Sequence, residues 1–420
     1  MKKIFLTLFC LIFLCACGTK RQYFEPKQTD GDLSHNSNLK SKIVDWNLVS
    51  AKLSNNTAIL KNNISIDKFK LPKNYMLLAY QDGEYFTADN NGNLKIFDNS
   101  YNEIYNFQFD ASVVGVASNG DDLALVLANN TIVLANRSLG IKFSQTLTSA
   151  PAQDSRTANP IFLDNIIVYP TLDGKILILS RNNLQVIKDV VISAENFFNN
   201  VIHLSVIGDK LIAATAKKII VVSPARTLYL DADIKDVALS DDGIFILEKD
   251  GTIIKTDYNL RKIAEKKFEF AIFVKSNIYN NYLYIFEKTG YLIKMNLNLD
   301  NAQIFKLSEA IDKISFMGNG KFYYGDKILE QTIKSLKLNL KPYDLSMLTR
   351  KKSYICAKDQ NNILFMYTGK TKFLMKDALF LENLAQQINI NNKYFFSMAS
   401  LCSKAKNHLE IKGFNIYVAL

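Results

Sequence analysis

One pattern recurs along most of this chain and limits what it can become: a strand, a turn holding Asn, Asp or Gly, and a second apolar strand that returns. It is clearest where Asp164-Asn165-Ile166-Ile167-Val168-Tyr169-Pro170 runs into Thr171-Leu172-Asp173-Gly174 and then Lys175-Ile176-Leu177-Ile178-Leu179. Asp173-Gly174 tolerates positive φ, so the chain turns into an antiparallel hairpin. A third strand, Leu184-Gln185-Val186-Ile187, follows across the Arg181-Asn182-Asn183 turn. The same returning strand begins at Asn93, Thr131, Lys218, Thr252, Tyr291, Lys327 and Asn362, and Gly92, Gly174, Gly251 and Gly290 precede several copies. Successive copies start about 34 to 44 residues apart, close to the roughly 40 to 45 of a four-stranded propeller blade.

These copies predict an all-β fold, a single β-propeller of about eight four-stranded blades, with seven or nine also compatible. A ring leaves only short, protected sheet edges, which answers the aggregation hazard of so many strands. Closure usually takes strands from both chain ends, and residues 44–69 and 393–418 are the expected sources. A β-sandwich array or a parallel β-helix is the structural alternative. Regular hairpin turns inside each unit disfavour the helix.

The chain starts with a different signal. Met1-Lys2-Lys3 is a short positive start and Ile4 to Leu14 an almost unbroken apolar run, the two parts of a signal peptide. The run is too short to span a bilayer, which takes about 20 apolar residues. Leu14-Cys15-Ala16-Cys17 resembles the lipobox of bacterial lipoproteins. That resemblance implies cleavage before Cys17, a diacylglyceryl group on its thiol and an acyl chain on its new amino terminus. Several acyl chains hold a protein where one would not, since each buried methylene contributes roughly 0.8 kcal/mol. Gly18-Thr19 lacks the acidic residue that in some bacteria retains lipoproteins at the inner membrane, so the outer membrane is expected. Residues 1–16 are thus read as signal peptide, 17–43 as a lipidated flexible tether poor in aliphatics, and 44–420 as propeller.

The formal charge is +11, spread among acidic residues rather than bunched in runs. Nucleic-acid binding is not expected from such a pattern, whereas an acidic partner or anionic lipid fits it. Beyond Cys17 only Cys356 and Cys402 remain, and export permits them to pair. They are a candidate disulfide, with buried free thiols as the ordinary alternative.

Catalytic chemistry finds little to use. His35 lies in the tether, while His203 and His408 sit far apart in strand-like settings where a structural role is the ordinary one. H-E-x-x-H, C-x-x-C and G-x-S-x-G are all missing from the sequence. Asp82-Gly83, Asp173-Gly174, Asp242-Gly243 and Asp250-Gly251 read as plain turns, not as the alternating acidic ladder of a calcium loop. Arg261-Lys262 and Arg350-Lys351-Lys352 read as solvated turns, and aromatic runs such as Phe322-Tyr323-Tyr324 and Tyr394-Phe395-Phe396 as strand formers. No enzyme activity, metal or cofactor is expected.

Lipobox, tether and a propeller of about eight blades, best matched from Asn159-Pro160-Ile161-Phe162 through Pro170-Thr171-Leu172-Asp173-Gly174-Lys175, together resemble the outer-membrane protein assembly factor BamB family, whose propellers carry PQQ-like repeats. The resemblance covers nearly the whole mature chain and is one of architecture more than motif. It implies a non-enzymatic scaffold on the periplasmic face of the outer membrane, acting as a monomer within a complex. There it would bind the POTRA domains of a BamA-like barrel insertase and assist insertion of outer-membrane proteins. In that family a loop Arg before an "A-P"-type strand start contacts the partner, and Arg156 in Asp154-Ser155-Arg156-Thr157-Ala158-Asn159-Pro160 resembles it. The acidic pair that the next blade of the family presents is missing from Phe198-Asn199-Asn200-Val201. Repeats of this superfamily also commonly end in a docking Trp, and this chain has one Trp, Trp46, so Phe, Tyr or Ile must fill the docking positions. The alternative function is a surface or periplasmic propeller lipoprotein that binds a glycan, a peptide or a host protein.

Overall fold

Each repeat folds as the hairpin its sequence predicts and then adds two more strands. In the clearest one, Ile166–Pro170 pairs antiparallel with Lys175–Ser180, Tyr169 facing Leu177. The computed structural model describes residues 22–418 apart from 63–64, 67, 151–152, 312–313, 331–340, 347–352, 359–361, 370, 389–391, 398 and 400. The signal segment, Cys17 and the Arg350-Lys351-Lys352 cluster lie outside the described residues.

The chain divides into two units, residues 1–331 and 332–420. The first is an all-β propeller of eight four-stranded blades. Blade 1 spans residues 43–66, blade 2 76–108, blade 3 113–146, blade 4 161–191, blade 5 203–231, blade 6 234–267, blade 7 273–307 and blade 8 315–330. In blades 2, 3, 4 and 6 the first strands are mostly buried or half-buried and the fourth carry mostly exposed residues, so each sheet runs from the central channel outward.

Apolar side chains between neighbouring sheets hold the ring. Every adjacent pair of blades shares a buried cluster, from blades 1 and 2 around to blades 8 and 1. Ala124, Val126, Ile132 and Leu134 of blade 3 meet Ile167, Tyr169, Leu177 and Leu179 of blade 4. Ile43, Ala51, Leu53 and Ile59 of blade 1 meet Phe316 and Tyr323 of blade 8, which closes the circle. A fully buried Leu, Ile or Val contributes about 1.5–3 kcal/mol, so each interface is a substantial share of the fold's stability. Rings such as Phe86, Tyr169, Phe245 and Phe286 are fully buried in these interfaces. Tyr169 also donates its hydroxyl to the Val133 carbonyl of blade 3 at 3.0 Å.

Glycine precedes the returning strand for a packing reason as well as for its turn. Gly174 has φ +88°, and a Cβ there would run into the Ser193 carbonyl and the Asn199 side chain. The connector to the next blade lies directly on that turn, with Ile192 N–H donating to Gly174 O at 2.8 Å.

Three expectations are corrected. Closure does not use residues 393–418: blade 8 has three strands of its own, and Ser37–Asn38 pairs antiparallel with Lys327–Glu330 as its fourth. The segment expected to be a flexible tether is docked, because Phe24 is buried edge-on against Phe268 and Tyr291. Asp32–Leu33 then adds a parallel strand to Gln303–Leu307 of blade 7. Finally, the propeller ends at blade 8. The copy beginning at Asn362 belongs to the second unit, while the strand Ala58–Leu60 supplies the returning strand of blade 1.

The second unit is a five-stranded mixed sheet with strand order 341–343, 354–358, 362–367, 392–397, 414–418. Helix Met375–Ile388 links two parallel strands, and helix Ser403–Ile411 links the next parallel pair. Ala378, Leu381, Leu384, Ala405 and Leu409 cover Phe365, Phe373 and Phe395 in one core. The candidate disulfide is not formed: Cys356 is a free, buried thiol and Cys402 a free, half-buried one. Burial pushes the Cys356 thiol up to about 12, so it behaves as a small apolar side chain.

Candidate docking site at the mouth of the channel

The connector from blade 3 to blade 4 does more than join them. Asn159 accepts from Val116 N–H of blade 3 and donates to the Leu78 carbonyl of blade 2, both at 3.2 Å. Three residues earlier, Arg156 donates to the Lys235 carbonyl of blade 6. Blades 2 and 6 stand opposite each other in an eight-membered ring, so this loop bridges the bore. Gly115 lets it approach, since a Cβ there would meet the Ala158 carbonyl at 3.1 Å.

Arg156 is therefore an internal brace. Only 7% exposed, it grips Asp154 through two parallel bonds, Nε to Oδ1 at 2.8 Å and a terminal nitrogen to Oδ2 at 2.5 Å. Asn200, fully buried, locks the same loop by accepting from Asp154 N–H at 2.7 Å and donating to the Arg156 carbonyl at 2.5 Å. Arg156 holds the Asp154 carboxyl below its ordinary range even though burial pushes the other way. The guanidinium that the family resemblance makes a partner contact is engaged inside the ring, with Asp154 and the Lys235 carbonyl.

Two cavities share Arg156 and Asp236 along the bore. The deeper one, about 460 Å³, is lined by Lys61, Asn159, His203, Ser276 and Asn277 among others. His203 is held to Ser205 at 3.0 Å, and burial pushes its imidazole down to about 4, so it stays neutral at physiological pH as a structural residue. The outer one, about 600 Å³, is walled by Trp46, Phe198, Ile272, Val274, Ile311 and Ile314 and carries Lys235, Lys275 and Lys288. The Lys275 ammonium sits 3.3 Å from the centre of the Trp46 ring. Burial, aided by Arg156, Lys61 and Lys235, pushes its pKa down to about 7 against the opposing pull of Asp236. Asp236 itself is occupied, its carboxylate accepting from the Ser276 N–H and hydroxyl at 2.9 and 2.8 Å.

Around this mouth the blade connectors expose large aromatic rings: Phe197 and Phe198 between blades 4 and 5, and Phe270 between blades 6 and 7. Phe198 and Phe270 also take positive φ, 55° and 62°, a conformation that bulky residues rarely adopt. Exposed rings at a rim are the residue type that anchors protein interfaces.

The other sequence-stressed residues are elsewhere. His408 pairs with Glu382 at 2.7 Å in the second unit. Asp250 accepts from Thr252 N–H at 3.0 Å, as a turn residue does, and Arg261 and Lys262 are exposed. Among the described residues no group of three or more His, Cys, Asp or Glu is placed to hold a metal ion. The sequence marks Trp46 only as the single tryptophan and does not single out Lys235 or Lys275. A lysine at an inward position of a channel strand was the available signal.

Fold and site together define an eight-bladed β-propeller whose bore is braced by its own loop and whose mouth offers aromatic and cationic groups. No family model matches the sequence. Among curated proteins the chain is similar to the plasminogen-binding protein PgbB of Helicobacter pylori strain J99, 32% identical over 247 residues that cover 56% of this chain and 45% of that one. The same-named protein of strain 26695 is 33% identical over 220 residues, covering 49% and 40%. The chain thus spans less than half the length of these curated relatives. Among solved structures, BamB from Moraxella catarrhalis superposes with a TM-score of 0.55 at 12% identity, over 70% of this chain and 98% of that one. The C-terminal WD40 domain of Sif2 gives 0.55 at 14% identity over 72% and 99%, and the computationally designed Ika8 protein 0.51 at 14% over 71% and 99%. Likeness at such identities is likeness of fold.

Proposed function

We propose that this chain is a lipid-anchored, non-enzymatic propeller scaffold that holds a protein partner against the mouth of its ring. One observation carries the reading: Asp154, Arg156 and Asp236 of the bore are engaged with neighbouring groups, while exposed Phe198 lines a cationic recess at the mouth. That is an arrangement for recognition. The anchor is the lipid on Cys17, and the site of action is the periplasmic face of the outer membrane.

In the first reading the partner is a BamA-like barrel insertase, engaged through its POTRA domains, and the ring assists insertion of outer-membrane proteins. The lipobox and the BamB-like architecture support it. With Arg156 buried, the exposed rim rings are the proposed contacts. The second reading, a host protein as partner, is favoured by the relatives named for plasminogen binding. Affinity isolation of the lipid-anchored chain from detergent-solubilised envelopes separates them, when paired with protease shaving of intact cells. Insertase in the eluate and protection from protease support the first reading. Cleavage in intact cells with saturable binding of purified plasminogen supports the second. Failure of both isolations removes the scaffold reading.

A further inference from the structure

We propose that the outer cavity at the channel mouth is a receptor for a carboxylate side chain, presented on an acidic and apolar segment of the partner. This rests on the docking reading and names the chemistry of its contact. The cavity wall carries four cations, Arg156, Lys235, Lys275 and Lys288, against two carboxylates, Asp154 and Asp236. Asp154 is committed to Arg156, and Asp236 to Ser276, with Val237 N–H at 3.1 Å as well. Lys275 has no carboxylate partner among the described residues; its ammonium rests on the Trp46 ring instead.

A second group in the same wall also lacks a partner. Ser315 is 2% exposed, and its hydroxyl makes no hydrogen bond among the described residues. A buried hydroxyl left unpaired costs about 1–3 kcal/mol. A carboxylate entering the cavity pairs with the Lys275 ammonium in a charge-assisted contact. The remaining wall, Trp46, Ile272, Val274, Ile311 and Ile314, is apolar and suits the aliphatic neighbours of an acidic residue rather than a fully hydrated phosphate.

The reporter is built in. Trp46 is the only tryptophan of the chain, and it lines this cavity, so its emission reads occupancy. The full mature chain is titrated with a short blocked peptide, free of Trp, in which Glu alternates with Leu. The same peptide with Gln in place of Glu and inorganic phosphate are titrated alongside. The acidic peptide should shift Trp46 emission saturably, with binding about tenfold weaker for the Gln peptide and for Lys275→Met, as loss of a paired charge implies. Lys235→Met, checked with Lys275→Met for an unchanged circular dichroism spectrum, should show a smaller loss. Equal binding of the Glu and Gln peptides, or unchanged affinity in both variants, overturns the proposal. A saturable phosphate response as strong as the peptide's overturns its assignment to carboxylate. Partner recovery that ignores Lys275→Met sinks the cavity while leaving the scaffold standing, whereas a peptide response without any protein partner does the reverse.

Discussion

Arg156 is the residue on which the bore depends. Arg156→Ala leaves Asp154 buried without its cation and removes the tie to blade 6, so urea unfolding should show a loss of about 3–5 kcal/mol. Arg156→Lys should recover little, because an ammonium cannot reproduce two parallel bonds. Folded Asp154 titrates below its ordinary range, so its contribution is present above the unfolded carboxylate pKa and lost as pH falls through the folded value. The variant should therefore unfold with a shallower acid dependence. Lys275 gives a slope of the same sign in a higher pH window. Its folded pKa of about 7 lies below the ordinary lysine value, so between the two the unfolded chain binds more protons and stability rises with pH. Melting curves of Lys275→Met between pH 7 and 10 should lack that rise. The groups facing Lys275 are Trp46, Asp236, Arg156, Lys61 and Lys235. In the sequence Arg156 could be singled out but not placed: its ion pair is local, whereas its burial comes from Asn200 and Lys235, which only the closed ring brings near.

At the scale of elements, the amino-terminal segment is the clearest case of a part whose role depends on a single side chain. Phe24 fills a gap between Phe268 and Tyr291, and Asp32–Leu33 and Ser37–Asn38 extend two outer sheets. Phe24→Ala should cost roughly 3 kcal/mol and expose residues 22–34 to protease. Limited proteolysis followed by mass mapping reads this directly, and unchanged protection would show that backbone pairing alone holds the segment. The repeat itself was legible because Asp-Gly and Asn turns recur with returning apolar strands, and the third strands of blades 2 to 8 fall where those motifs place them. Blade 1 was hidden because its third strand is only Ala58–Leu60. The docked segment was hidden because its strands have two residues each and no apolar alternation. The helices of the second unit did leave a trace: Ala378, Leu381, Leu384 and Ala385 repeat at helical spacing, and adjoining strand-like runs at 362–367 and 392–397 obscured it.

For the whole molecule, eight blade interfaces make a ring that is rigid where it is closed and varied where its connectors emerge. The bore is bridged by its own loop, and the mouth presents exposed Phe198 beside Lys275. The account's central claim is that this face docks a protein. A photo-crosslinking residue placed at Phe198 in cells, with a control at exposed Ile187 on the outer strand of blade 4, tests it most directly. The account predicts a discrete adduct from position 198 with the insertase or the host protein, and none from position 187. Adducts from position 187 alone, or from neither position while the anchored chain is intact, would contradict it.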